Sequence, residues 1–190
     1  AKCSSGIKIA MVLDVSGSID SYRQKYKDSI TGTGGLLDAL APTGSSISTF
    51  TFSDNSPASS ASNVANMTTP TAITASGSAR NTLNSDINRR IDSGGGYTNW
   101  DSGFQAVKNS GSFSQYDYVL FVTDGAPNRV VGNASNPGTG AVAPVTGTGT
   151  GDISVAALEA AIYSSNSIKA AGKPVVAVAV GNGVTHAGPN

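Results

Sequence analysis

The sequence predicts an α/β fold: a doubly wound, mostly parallel sheet with helices on both faces. Three observations carry this. Short, mainly apolar runs at 7–13, 116–122 and 174–180 have the length and composition of strands buried on both faces of a parallel sheet. Segments with helical spacing of apolar residues fall between them, and strand–helix alternation is the pattern of βαβ units. Two of the strands end in small polar turns that carry an aspartate, Asp14-Val15-Ser16-Gly17-Ser18 and Thr123-Asp124-Gly125. Open α/β sheets place their ligands at the carboxyl ends of their strands.

The elements follow in order. After the first strand, Tyr22, Tyr26, Ile30, Leu37 and Leu40 recur at helical spacing and predict a helix over 20–40. Gly32, Gly34 and Gly35 fall inside it at about 1 kcal/mol each relative to Ala, with close packing on the sheet as the expected compensation. Pro42 and Gly44 end it. The β-branched and aromatic run 47–52 predicts a second strand. A short edge strand is expected at 61–67, reached by a hairpin over 54–60 and closed by Pro70. Leu83, Ile87 and Ile91 give a helix over 79–91. A Gly94-Gly95-Gly96 loop leads to Tyr97-Thr98-Asn99-Trp100, and a further helix over 99–109 turns Phe104 and Val107 inward. Residues 126–151 are rich in Gly, Pro, Thr and Asn and read as a long surface loop, a length that is usually functional or mobile. Asp152 or Ser154 caps a helix with Val155, Leu158, Ile162 and Ile168 on its buried face, ending at Gly172. Residues 174–180 form the last buried strand.

Composition bounds the function. The 190 residues suffice for one buried core, so 1–190 is read as a single domain. Formal charge is +0 and only 13% of residues are charged, which gives no support for nucleic-acid binding. Arg89-Arg90 is the sole adjacent arginine pair. No apolar run approaches the ~20 residues that span a membrane, and no signal-peptide pattern is read. A weakly charged surface rich in Ser, Thr, Asn and Gly is commoner on secreted bacterial proteins than on cytosolic enzymes. Cys3 is the sole cysteine, which leaves a free thiol or half of a bridge to a residue beyond Asn190.

If the sheet reverses its order between the first and fourth strands, Asp14 and Asp124 share the switch-point crevice. Thr98, on its glycine-rich loop, reaches the same place from the side. Two carboxylates and three hydroxyls (Ser16, Ser18, Thr98) make an all-oxygen donor set suited to Mg²⁺, Mn²⁺ or Ca²⁺. Compact geometry with retained waters favours Mg²⁺.

Asp14-x-Ser16-x-Ser18, Thr98 and Asp124-Gly125, in that order and strand context, resemble the metal-ion-dependent adhesion site (MIDAS) of the von Willebrand factor A domain family. The resemblance covers the strand–helix alternation from Ile7 to Val180. A lone DxSxS arises by chance in Ser-rich chains; joined to the Thr and the TDG turn it is specific. The resemblance implies that Ser16 and Ser18 bind the metal directly, that Thr98 and Asp124 exchange between direct and water-mediated contact, and that Asp14 orders waters and hydroxyls behind them. It also implies a partner protein whose Glu or Asp completes the coordination, with a host extracellular-matrix protein as one such ligand; the 126–151 loop, following the fourth strand, is the candidate for selecting it. Family members continue past the strand at 175–180 with a sixth strand and a C-terminal helix. Residues 181–190 are too few for both, so either the sequence is cut short of them or the domain lacks the affinity switch that integrin I domains build on the helix.

Simpler readings apply to neighbouring residues. Asp14, Ser16 or Ser18 taken singly are helix caps. Asp20 and Asp101 suit first-turn acids favoured by the helix dipole. Tyr97 and Trp100 either flank a ligand groove or pack inward, and His186 is solvated. The 31–35 glycines lack the GxxxxGK[ST] of a phosphate loop. A haloacid-dehalogenase-like phosphatase needs a second Asp where Ser16 stands, and a serine hydrolase needs GxSxG with a placed His. The expectation is a non-catalytic, monomeric adhesion domain that binds an acidic protein ligand through Mg²⁺, on a bacterial surface or pilus and with no membrane insertion. The alternatives are an intracellular subunit of the same family that assembles a multiprotein complex and, further off, a Mg²⁺-dependent phosphatase.

Overall fold

In the computed structural model, residues 6–58, 64–92, 94–130 and 155–180 are described. Lys8–Asp14 (β1) is the central strand. It pairs in parallel with Ser46–Phe52 (β2) on one side and with Tyr118–Thr123 (β4) on the other. Met67–Ala72 (β3) lies antiparallel outside β2, and Val175–Ala179 (β5) lies parallel outside β4, giving the order β3-β2-β1-β4-β5. The order reverses between β1 and β4, which places the ends of these two strands at the crevice.

The period of two in β1 sorts its side chains into two cores. Ile9, Met11 and Leu13 face the helices Arg23–Thr31 (α1) and Ser78–Asp92 (α3), through Tyr26, Ile30, Leu83, Ile87 and Ile91. Ala10 and Val12 face Trp100–Lys108 (α4) and Val155–Ala170 (α5), through Phe104, Val107, Ala161 and Ile168. Phe121 anchors the second core. It stacks on Phe104 at 4.3 Å and on Phe52 at 5.1 Å, with the edge of Trp100 at 5.7 Å. Such pairs add to the burial of the rings themselves.

Several elements differ from the sequence reading. The single helix expected over 20–40 is instead a 3-10 turn (Gly17–Tyr22), α1, and a five-residue helix, Leu36–Leu40 (α2). The glycines are not accommodated by packing; they make the break. Gly32 caps α1, and Gly34 adopts φ +74°, a conformation that costs other residues more. The edge strand lies at 67–72 rather than 61–67, and Pro70 sits within it rather than closing it. An edge strand has a side without ladder bonds, where a missing N–H is tolerated. Residues 59–63 lie outside the described set.

The buried face of α5 is also different. Ala157, Ala160, Ala161, Ser164 and Ile168 point inward, while Val155 and Ile162 are exposed and Leu158 is half-buried. Small residues let the helix sit close to α4, so the larger apolar side chains do not mark the inner face. Ile168→Val is accordingly expected to cost about 1 kcal/mol and Ile162→Val less than about 0.5 kcal/mol, as read by urea denaturation. Equal costs would return Ile162 to the core. The strand expected to be buried at 174–180 is outermost in the sheet among the described residues, with Val176 and Val178 exposed. Cys3, His186, the 152 and 154 caps, residues 181–190 and most of the 126–151 loop lie outside the described residues; 126–130 is described and has no regular structure.

Candidate metal centre

The centre is built where β1 runs out. Val15 N–H still donates to Phe52 O at 3.0 Å, after which the chain leaves the sheet. Asp14 Oδ1 accepts from Ser16 N–H at 2.9 Å, a local turn that suits a short acidic side chain. Ile19, fully buried, then pins the 3-10 turn to the core. Two backbone bonds join this loop to the glycine-rich loop: Gly95 N–H donates to Val15 O at 2.8 Å and Gly17 N–H to Gly96 O at 3.0 Å. Asn99, whose side chain accepts from Ser102 N–H at 3.1 Å, caps α4 immediately after Thr98.

Four of the five predicted side chains are brought into direct contact. Ser16 Oγ and Ser18 Oγ are 3.1 Å apart. Thr98 Oγ1 donates to Ser16 Oγ at 3.2 Å, and Ser18 Oγ donates to Asp124 Oδ1 at 2.8 Å. Asp14 stands behind this group, held by Ser16 and Thr123. Its Oδ2 accepts from Thr123 Oγ1 at 2.6 Å, and Thr123 in turn accepts from Trp100 Nε1 at 3.1 Å. Asp14, Ser16, Thr98 and Asp124 are buried, whereas Ser18 is exposed, so the cluster opens to solvent on the Ser18 side.

Burial dominates the electrostatics. It raises the Asp14 carboxyl from 3.8 to about 6, against hydrogen bonds from Thr123 and Ser16, with the charge of Asp124 adding to the rise. Burial also raises Asp124, opposed by the hydrogen bond from Ser18. One of its oxygens, Asp124 Oδ2, is buried without a hydrogen-bond partner among the described residues. A buried carboxylate oxygen left unpaired needs an explanation, and a cation supplies one. The donors here are three hydroxyls and two carboxylates, and no group of three or more His, Cys, Asp or Glu side chains is placed to hold a metal among the described residues. Hard oxygens with few charges suit Mg²⁺ or Ca²⁺ chemistry. The residues fit such an ion: Ser16, Ser18, Thr98 and Asp124 would hold it, with Asp14 and Thr123 behind.

Several neighbours were not legible as part of this centre. Thr123 belongs to the TDG turn but reads as a strand-end residue until its hydroxyl is seen on Asp14. Asp54, Asn128 and Arg129 lie in turn-rich segments with no periodicity to place them. Trp100 packs against Phe121, while Tyr97 is exposed. Asp101 does stand in the first turn of α4, but it is buried and bonded by Ser164 and Gln105 rather than solvated.

No protein-family model matches the chain, and no curated protein does. Solved structures do. Proximal thread matrix protein 1 from the mussel byssus, in a form with a zinc-occupied MIDAS motif, matches over 95% of this chain at 19% identity and a TM-score of 0.52. The pilus adhesin SpaC from Lactobacillus rhamnosus GG matches over 91% at 16% identity and 0.56. The vWF domain of the pili tip protein Mfa5 from Porphyromonas gingivalis matches over 92% at 12% identity and 0.56. The chain spans 37% of the mussel protein, 24% of SpaC and 81% of the Mfa5 domain. At these identities the likeness establishes the fold: the chain has the von Willebrand factor A fold.

Proposed function

We propose that this domain is a metal-dependent adhesion module that holds Mg²⁺ through Asp14, Ser16, Ser18, Thr98 and Asp124 and captures a Glu or Asp carboxylate of a protein ligand. The observation that carries the reading is the convergence of Ser16, Ser18, Thr98 and Asp124 around an unpaired buried carboxylate oxygen. Hydroxyl donors add no charge, and the second carboxylate is set back on Thr123. A cation held this way keeps enough positive character to bind an incoming acid. The pilus adhesins and the byssal protein that share the fold support an adhesive, extracellular role over a catalytic one. We place the domain at a bacterial surface or pilus, with the 126–151 segment, which follows β4 in sequence, as the selector of the ligand.

The test is a thermal melt with and without Mg²⁺. A metal that binds only the folded state at about 100 times its Kd adds about 2.7 kcal/mol. For a chain of this size that corresponds to a rise of about 5–10 °C. Asp14→Ala and Thr98→Ala are expected to remove the rise. Parallel melts with Mn²⁺, Ca²⁺ and Zn²⁺ rank the ions. No rise with any of them sinks the reading.

A further inference from the structure

Thr98 is the one member of the cluster that no strand delivers. It sits between a run of three glycines and the start of α4, on a loop with little stiffness of its own. Its neighbours supply what the loop lacks. Thr98 N–H donates to Asn128 Oδ1 at 2.8 Å, while Thr98 O accepts from Asn128 N–H at 3.1 Å and from Arg129 N–H at 3.2 Å. The residue is therefore held at both of its backbone polar groups by a segment that follows β4. On the outer side, Asp54 Oδ1 accepts from Tyr97 N–H at 2.8 Å and lies 3.3 Å from the Arg129 guanidinium. That guanidinium also lies over the Tyr97 ring, 5.1 Å from its centre. Asp54 O accepts from Asn99 Nδ2 at 2.9 Å. Residues 97–99 are thus gripped between the ends of β2 and β4.

We propose that Asn128 is a positioning residue for Thr98, aided by Arg129 and Asp54, and that this grip sets the affinity of the metal centre. The inference rests on the metal-binding reading above. With both backbone groups of Thr98 tied, its Cα–Cβ bond is aimed at the cluster, where its hydroxyl donates to Ser16 Oγ at 3.2 Å. Groups that orient a ligand in this way are typically worth tenfold to a hundredfold in metal affinity. Asn128 carries more than Arg129, since its bond is to a buried residue, whereas the Arg129–Asp54 pair is partly exposed and contributes little by itself.

The test measures Mn²⁺ affinity by titration calorimetry together with hydrogen exchange of the Thr98 amide in the metal-free protein. Asn128→Ala is expected to speed exchange at Thr98 about tenfold, the equivalent of one lost hydrogen bond, leaving the β1 amides unchanged. Its Mn²⁺ affinity is expected to fall at least tenfold. Arg129→Ala is expected to lose only a few-fold. Asn128→Asp keeps the acceptor and is expected to restore both slow exchange and binding. Wild-type Mn²⁺ affinity in Asn128→Ala, or a loss that Asn128→Asp does not restore, overturns the inference while leaving the metal centre standing. A wild-type protein that binds no Mn²⁺ overturns both.

Discussion

Without metal at pH 7, an Asp14→Asn protein is expected to melt above the wild type, and to gain nothing further from Mg²⁺. The physical reason is burial. A carboxyl moved from 3.8 to about 6 binds its proton more tightly in the folded chain than in the unfolded one. The stability this group contributes is therefore fully present below about pH 4 and is lost as pH rises through about 6. At pH 7 the ionised group costs the metal-free fold about 3 kcal/mol. Asparagine removes the charge while keeping an oxygen for one of the two donors, and the Thr123 hydroxyl can turn to accept from the amide. Melts from pH 4 to 7 check this directly. Stability of the metal-free wild type should fall across that window, with the variant flatter. An Asp14→Asn protein less stable than the wild type at pH 7 would contradict it. The same carboxylate thus weighs on the empty fold and serves the loaded one, as expected where function competes with stability.

Gly94→Ala is expected to abolish metal binding by a different route. A Cβ on Gly94 would lie 1.9 Å from Val15 O and 2.7 Å from Val15 Cβ, contacts that backbone cannot absorb without moving. The neighbouring bond from Gly95 N–H to Val15 O would go with it. Overpacking of this kind costs about 1–3 kcal/mol. Its functional effect should exceed that, because the displaced loops carry Ser16 on one side and Thr98 on the other. The expected outcome is a folded protein by circular dichroism whose melting temperature no longer responds to Mg²⁺. A Gly94→Ala protein that still responds would show that the two loops need not touch.

Most of the architecture was legible because it rests on burial of β1, β2 and β4, read from the apolar runs and acidic ends of β1 and β4 and the β-branched, aromatic run of β2. The meeting of the candidate side chains was legible for a related reason: Asp14, Ser16, Ser18 and Asp124 lie in strand-end turns and Thr98 on a glycine-rich loop, which the fold brings to one edge. What was missed has physical causes. Tyr26, Ile30, Leu37 and Leu40 keep helical spacing across the 32–35 break, so periodicity could not see the interruption, whereas glycine conformational freedom decided it. In α5, hydrophobicity pointed to Val155 and Ile162, but close approach to α4 favours Ala157, Ala160 and Ala161. Pro70 was read as closing an edge strand at 61–67, but an edge tolerates a missing donor, and Pro70 stands inside β3. The Asn128 and Asp54 contacts are long-range pairings between irregular segments, which leave no local pattern to read.

The central place of β1 has a consequence for how the molecule assembles. Its two neighbours both follow it in sequence, β2 soon after and β4 only past residue 117, and Ser18 and Asp124, bonded in the fold, stand 106 residues apart along the chain. Closing so long a loop is entropically slow, and contacts of this range set the pace of folding. A chain that has joined only its first two strands carries half a binding centre and no grip on a cation. On the proposed metal-binding reading, an ion held only by the finished centre would leave the speed of folding as it is and lengthen the lifetime of the folded molecule.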